Sequence, residues 1–174
     1  MGRYAQEKRL DILIEAYKKY KKKIECKGEG ICWPLTCCGM GGFRKWLEGV
    51  DGVNNVGFLQ PDDVQGLYKT HGVLVVTSDF EPWSVVIAEA CASRLPVICT
   101  KACGSHTALV RDNGIVCETN DVDAIAEAML RMHTMREEER VAMGMKGLEL
   151  VRPYSCEAWS ERVVRIVSGL GRRE

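Results

Sequence analysis

Two glutamates stand eight positions apart in the stretch Ser78-Asp79-Phe80-Glu81-Pro82-Trp83-Ser84-Val85-Val86-Ile87-Ala88-Glu89-Ala90. Pro82 fits the first turn of a helix, where a missing N–H costs no hydrogen bond. The pattern therefore predicts Glu81 at a helix mouth and Glu89 about two turns in. Eight helical steps span about 12 Å. Carboxylates that far apart share neither a proton nor a metal ion, but they can grip the two ends of an extended polar ligand, with a sugar at one end and a ribose at the other. Glu89 lies in an apolar run, where an acid buried without partners is costly, so it is expected to face outward or to hold something polar.

Other residues could complete such a site. Arg3 and Lys8 place two cations before an amphipathic segment, and Gly39-Met40-Gly41-Gly42, with Arg44 beyond it, is a turn where backbone N–H groups can approach an anion. A third turn runs from Glu81 through Ser84 and Val85, and a fourth is Ala102-Cys103-Gly104-Ser105-His106. Fixed cations and helix N-termini at these turns would cradle a diphosphate without a metal ion. Each feature also has an ordinary reading. Surface Arg and Lys are usually solvated, a glycine turn is usually only a turn, and the Gly39 turn does not match the dinucleotide fingerprint, which argues against a nicotinamide site. His71 and His133 fall where helices should end and suit the helix dipole. Asp121 and Asp123 read as first-turn acids of a helix capped by Asn120 rather than as a metal pair. Lys18, Lys19, Lys21, Lys22 and Lys23 read as a solvated face, with contact to anionic lipid as the minority reading.

The elements that must position these residues alternate. Leu10, Leu13, Ile14, Tyr17 and Ile24 recur at helical spacing until Lys27-Gly28-Glu29-Gly30 breaks the pattern. Trp33 to Cys38 reads as a strand leading through glycines to a helix from Phe43 to Glu48. Val56 to Leu59 leads to a helix over Asp62 to Tyr68, and Val73 to Val76 to the helix carrying Glu89. Pro96 to Thr100 leads through Gly104 to a short helix at Leu109 and Val110, and Ile115-Val116 is a last strand. The expected remainder is helical: Val122 to His133, then a helix to about Val151 capped by Thr134 with Glu137, a stop at Pro153, and Trp159 to Leu170. Strands this apolar and unalternating predict an α/β fold with a doubly wound parallel sheet, Rossmann-like, buried on both faces. Gly2-Arg3 reads as the end of a strand whose body would lie upstream. The first, central strand is thus expected to be missing and the chain to be a fragment.

At 174 residues this is one domain, and 24 basic against 24 acidic residues exert no general pull on nucleic acid. Nine scattered cysteines without zinc-knuckle spacing suit buried thiols in a reducing cytoplasm; Cys91, Cys99 and Cys117 lie in apolar segments. No apolar run reaches the roughly 18 residues of a membrane span.

Taken together, these segments resemble the nucleotide-sugar-binding C-terminal domain of the retaining GT-B glycosyltransferases, in particular glycosyltransferase family 4 (group 1). The likeness covers essentially the whole chain. Gly2-Arg3 with Glu7-Lys8 is similar to the family's opening Gly-Arg…Glu-Lys-Gly segment, Cys38-Gly39-Met40-Gly41 to its Gly-Asp-Gly turn, Val56-Gly57-Phe58 to its base-side strand, and Glu81 with Glu89 to its Glu-x7-Glu motif. Gly104 to Val110, followed by Asn113-Gly114, is similar to its next loop.

The resemblance implies Arg3 and Lys8 on the donor diphosphate, Glu81 on the donor sugar, and Glu89 on the ribose. It implies backbone near Phe58 and Leu59 on the base, with Gly39, Ser84, Val85, Gly104, Ser105 and His106 also around the donor. Glu81, Lys8 and Arg3 would be the catalytic groups, with no cofactor and no metal. The implied reaction is retaining transfer of a hexose from a UDP- or GDP-linked donor to a saccharide or lipid-linked acceptor. It would take place in the cytoplasm or at the membrane's cytoplasmic face. The family's acceptor-binding N-terminal domain has no counterpart here, so a separate N-terminal half is an implied partner. Four positions depart from the pattern: Arg9, Ser84 and Arg94 stand where glycine is usual or frequent, and Met40 stands where Asp is usual. A non-catalytic nucleotide-binding fragment and an epimerase remain as alternative readings.

Overall fold

The computed structural model describes residues 1–28 and 30–170; Glu29, within the expected break, lies outside them. Strand β1 is two residues, Gly2–Arg3, followed by a 3-10 turn and helix α1, Leu10–Lys27. The first half continues with β2 (Leu35–Met40), a second 3-10 turn (Arg44–Leu47), β3 (Val53–Gly57) and α2 (Pro61–Thr70). The second half holds β4 (Leu74–Val76), α3 (Val85–Ala92), β5 (Val97–Thr100), α4 (His106–Leu109) and β6 (Gly114–Cys117). Helices α5 (Val122–Thr134), α6 (Glu137–Val151) and α7 (Cys156–Leu170) complete the chain.

All strand pairings are parallel, and the order is β1-β2-β3 in one sheet and β4-β5-β6 in the other. This is the expected doubly wound plan, with β1 too short to join the halves. Between β2 and β4 runs a cleft of about 150 Å³, lined by Leu35–Cys38 on one side and Leu74–Val76 on the other. Helix α1 buries Leu10, Leu13, Ile14, Tyr17, Tyr20 and Ile24 in one apolar cluster with Ile125, Met129 and Met132 of α5. Ile87, Ala90 and Cys91 of α3 join Val97, Cys99 and Leu109 in a second cluster.

The lysine run of α1 is largely spoken for within the chain. Lys19 pairs with Asp123, Lys23 with Glu127 and Lys21 with Asp51, two of these bonds tying α1 to α5. The buried thiols behave as small hydrophobes, and burial pushes those of Cys91 and Cys117 up to about 11. Among the described residues no helix is long and apolar enough to cross a membrane.

Several local expectations are corrected. The segment after the Gly39 turn is a 3-10 turn rather than a helix from Phe43 to Glu48. Asn120 does not cap α5: at φ 63° it is left-handed, and Asp121 is the cap, its side chain accepting from the Ala124 N–H at 2.9 Å. Thr134 does not cap α6. It ends α5, where its hydroxyl donates back to the Leu130 carbonyl at 3.1 Å, while Arg136 caps α6 and Glu139 closes the capping box. Helix α7 begins at Cys156, earlier than Trp159.

Pro82 does not open α3. The backbone at Glu81 is committed to a parallel bridge with Cys103, so residues 81–83 stay out of the helix, with bends at Pro82 and Trp83, and α3 begins only after Ser84 turns left-handed at φ 75°. Among the described residues the left-handed non-glycine residues are Arg9, Ser84, Arg94 and Asn120, and the first three are the positions where the resemblance implies glycine. A side chain there costs about 1–2 kcal/mol. Arg94 ends α3, its N–H bonded to the Cys91 carbonyl at 3.1 Å. Arg94→Gly is accordingly expected to stabilise the fold by about 1 kcal/mol in denaturant titration. Gly39, at φ 149°, would place a β-carbon 1.8 Å from the Gly2 carbonyl oxygen. Gly39→Ala is expected to destabilise by about 3 kcal/mol or more, measured the same way.

Candidate functional site

The first turn leaves β1 with the Tyr4 N–H donating to the Met40 carbonyl at 2.7 Å, which fixes it beside the Gly39 turn. Arg3 projects outward and bonds Glu7 at 2.8 Å. Arg3 and the Glu7 carboxylate's own backbone contact hold the Glu7 carboxyl below its ordinary range, the backbone bond being the larger cause. Lys8 turns the other way and pairs with Glu81; the two side chains are 25% and 16% exposed, so this ion pair is substantially desolvated.

The loop that carries Glu81 is tied to the same turn. The Thr77 hydroxyl lies 3.0 Å from the Lys8 carbonyl and 3.2 Å from that of Arg9, and the Asp79 N–H donates to the Glu7 carbonyl at 3.0 Å. On its other side the strap at 81–83 is stitched to the fourth turn: Gly104 N–H donates to the Glu81 carbonyl at 2.8 Å, and Ser105 N–H to that of Trp83 at 2.9 Å. A β-carbon on Gly104 would lie 2.0 Å from the Pro82 carbonyl oxygen, so only glycine allows this approach. His106 opens α4 with its Nδ1 2.8 Å from the Cys103 carbonyl. That carbonyl only accepts, so Nδ1 is the donor of this bond.

Three buried hydroxyls in these turns, Ser78, Ser84 and Ser105, have no hydrogen-bond partner. Leaving each unsatisfied costs about 1–3 kcal/mol. Such orphans crowd where the strap and the fourth turn meet, and they fit a region built around a polar ligand better than an apolar core.

Glu89 sits apart from this knot. It is exposed on α3, and the buried Tyr68 of α2 donates its hydroxyl to Glu89 Oε2 at 2.8 Å. Burial first, and the Glu89 carboxylate second, push the Tyr68 phenol well above its ordinary range. Both line a cleft of about 970 Å³ together with Arg3, Gly39, Phe58 and Leu59. Phe58 follows β3 and is 58% exposed. The loop is steadied by Asn55, whose Oδ1 accepts from Tyr4 Oη and from the Gly57 N–H, both at 3.1 Å.

The structure therefore brings Arg3, Gly39, Phe58, Leu59 and Glu89 to one cleft, and joins Lys8, Glu81, Gly104 and Ser105 in a knot beside it. Ser84 and Val85, at the start of α3, link the strap to the helix that carries Glu89. It does not place both glutamates on one helix, and Arg44 is engaged with its neighbour Glu48 at 3.4 Å. Tyr68, Thr77 and Asn55 escaped the sequence reading, since nothing in their spacing marks them. His71 and His133 do more than face a dipole: His71 Nε2 lies 2.8 Å from the Thr36 hydroxyl, and His133 packs at a tilt of 45° against Trp33 while bonding Tyr20. Among the described residues no three His, Cys, Asp or Glu converge as metal ligands.

Comparison with known proteins gives this geometry a family. An uncharacterized glycosyltransferase of Methanocaldococcus jannaschii is 30% identical over 134 residues, covering 72% of this chain and 33% of that protein. The fold matches that of a Staphylococcus aureus TarM mutant solved with fondaparinux, alpha-GlcNAc-glycerol and UDP. The TM-score is 0.80 at 21% identity, over 94% of this chain and 34% of that one. It also matches the pneumococcal O-GlcNAc transferase GtfA solved with UDP and GlcNAc, with a TM-score of 0.80 at 17% identity, over 98% and 35%. The chain thus spans about a third of the length of these proteins. The family profile described as "Glycosyl transferases group 1" matches residues 1–149, and the chain belongs to that family.

Proposed function

We propose that this chain is the donor-binding half of a retaining glycosyltransferase that moves a hexose from a UDP- or GDP-linked donor to a saccharide or lipid-linked acceptor. The observation that carries this reading is the cleft holding Glu89 on one wall and Arg3 on another, with the Lys8–Glu81 knot alongside. An exposed carboxylate held by a buried tyrosine is suited to accept hydrogen bonds from the two ribose hydroxyls. The base would lie against Phe58 and the backbone of Leu59. TarM and GtfA were each solved with UDP, which supports the same class of donor.

Chemistry follows from charge. As the bond from the sugar to the diphosphate breaks, negative charge grows on the leaving oxygen. Arg3, Lys8 and the backbone N–H groups opening α3 at Val85 are the groups that would stabilise it. Glu81 would orient the sugar and stabilise positive charge developing on the ring, with the new bond forming on the face from which the diphosphate leaves. Gly104 and Ser105 hold the strap against which the sugar or phosphates would rest, and His106 follows them at the start of α4. These protein groups suffice for the reading without a cofactor or a metal. The acceptor site would come from polypeptide beyond this chain, in the same molecule or a separate N-terminal half.

Isothermal titration with UDP, GDP, UDP-glucose and GDP-mannose tests the reading; absence of binding by all four would sink it. Glu89→Ala is expected to weaken binding about 10- to 100-fold through lost charge-assisted hydrogen bonds, and to lower the unfolding midpoint by a few degrees as the buried Tyr68 hydroxyl loses its partner. Tyr68→Phe, which frees the Glu89 carboxylate from its anchor, is expected to weaken binding about threefold. A donor lacking both ribose hydroxyls should then bind wild type and Glu89→Ala equally.

A further inference from the structure

Arg9 occupies a backbone position that glycine would adopt freely: φ is 48° and ψ 53°, in the left-handed region. A large side chain persists in such a conformation only where its surroundings hold it. Here they do. Arg9 Nε donates to Asp11 Oδ1 at 3.1 Å and the adjacent Nη2 to Asp11 Oδ2 at 2.8 Å, a side-on, two-bond grip on the first turn of α1. That leaves Nη1, which reaches Asp79 Oδ2 at 3.3 Å and the Asn120 side-chain oxygen. One guanidinium thus spans three turns at the same edge of the sheets: the entry to α1, the loop after β4 and the loop after β6.

Asp79 is two residues before Glu81. The loop leading into the strap is also held on this side by the Asp79 N–H on the Glu7 carbonyl and the Thr77 hydroxyl on the carbonyls of Lys8 and Arg9. Lys8, the partner of Glu81, is the residue next to Arg9. We propose that Arg9 is a positioning residue: by clasping Asp79 and Asn120 it sets where the strap places Glu81 relative to Lys8. The forked geometry is what the role requires. An ammonium at this site could meet Asp11 or Asp79 but could not present two parallel bonds to one and a third to the other. Asn120, itself left-handed at φ 63°, is part of the same device, its side chain turned to the guanidinium instead of to the helix it precedes.

This inference rests on the donor reading for its functional consequence, though not for its structural one. The test uses Arg9→Gly, which relaxes the backbone while removing the clasp, together with Asp79→Asn, which keeps Arg9 and weakens only the contact to the strap. Hydrogen exchange over residues 77–83 is expected to accelerate about tenfold in both variants, while exchange in α5 and α6 stays at the wild-type rate. The midpoint of thermal unfolding is expected to hold within about 3 °C, since relief of the left-handed strain offsets the lost bonds. Affinity for UDP-glucose and GDP-mannose should fall about tenfold, and Arg9→Lys should not restore it. Unchanged exchange at 77–83 overturns the proposal, as does a uniform loosening of every segment with a matching fall in the unfolding midpoint, which would make Arg9 a general stabiliser. Wild-type protein that binds no nucleotide sugar would instead dispose of the donor reading, and the exchange measurement would still decide the clasp.

Discussion

Among the described residues the two half-sheets share no hydrogen-bonded ladder, and the rest of the structure depends on how their ends are tied across that gap. There, strand β1 pairs with β2 and β4 with β5, but β1 does not pair with β4. A doubly wound sheet normally carries its load through a continuous row of strands. Here the halves meet instead through the turn at residues 7–9 and the loop at residues 77–81, joined by Thr77, the Asp79 N–H and the Lys8–Glu81 ion pair. Beneath that seam, α1 and α5 pack into one apolar cluster, with Ile98 of β5 reaching into it. The seam forms one side of the candidate site, with the cleft of Arg3 and Glu89 beside it.

That adjacency explains why costs gather there. Left-handed Arg9 and Ser84, the glycine-only approach at Gly104 and the orphan hydroxyls of Ser78, Ser84 and Ser105 all lie within the tied turns. Strain and unsatisfied polar groups persist where the surrounding structure over-determines them, and such places are commonly functional. Helix packing supplies the surplus: Ile87, Ala90, Cys91, Val97 and Leu109 are fully enclosed around α3 and β5, well away from solvent. A rigid core thus holds a strained edge. Glu89 lies between the two regimes, on a helix anchored by that core but with its carboxylate in the open cleft.

Much of the fold was legible because it follows from local periodicity. The stripe Leu10, Leu13, Ile14, Tyr17 and Ile24 marks α1, and the apolar runs at 74–76 and 97–100 mark strands covered on both faces. Short polar signals misled where they competed. Thr134 with Glu137 mimics a capping box, yet the helical backbone reaches Thr134 and its hydroxyl bonds within α5, leaving the cap to Arg136. Asn120 and Asp121 are both good caps, and only the conformation at Asn120 decides between them. Pro82 was read by a sound local rule. The rule yielded to a partner twenty-two residues away, when Glu81 paired with Cys103 and kept residues 81–83 out of the helix.

The sequence by itself determined the order of strands and helices, the buried and exposed faces, and the presence of two carboxylates, two cations and a glycine turn at strand ends, because these depend on residue type and short-range spacing. Tertiary structure decided which of them meet. It separated Glu81 from Glu89's helix, paired Glu81 with Lys8 across 73 positions, and set Tyr68 on Glu89 across 21. It also turned Arg9 from an apparent departure into a bridge among three loops. Such contacts arise from packing two half-sheets against shared helices, and residue spacing along the chain carries no record of that distance in space.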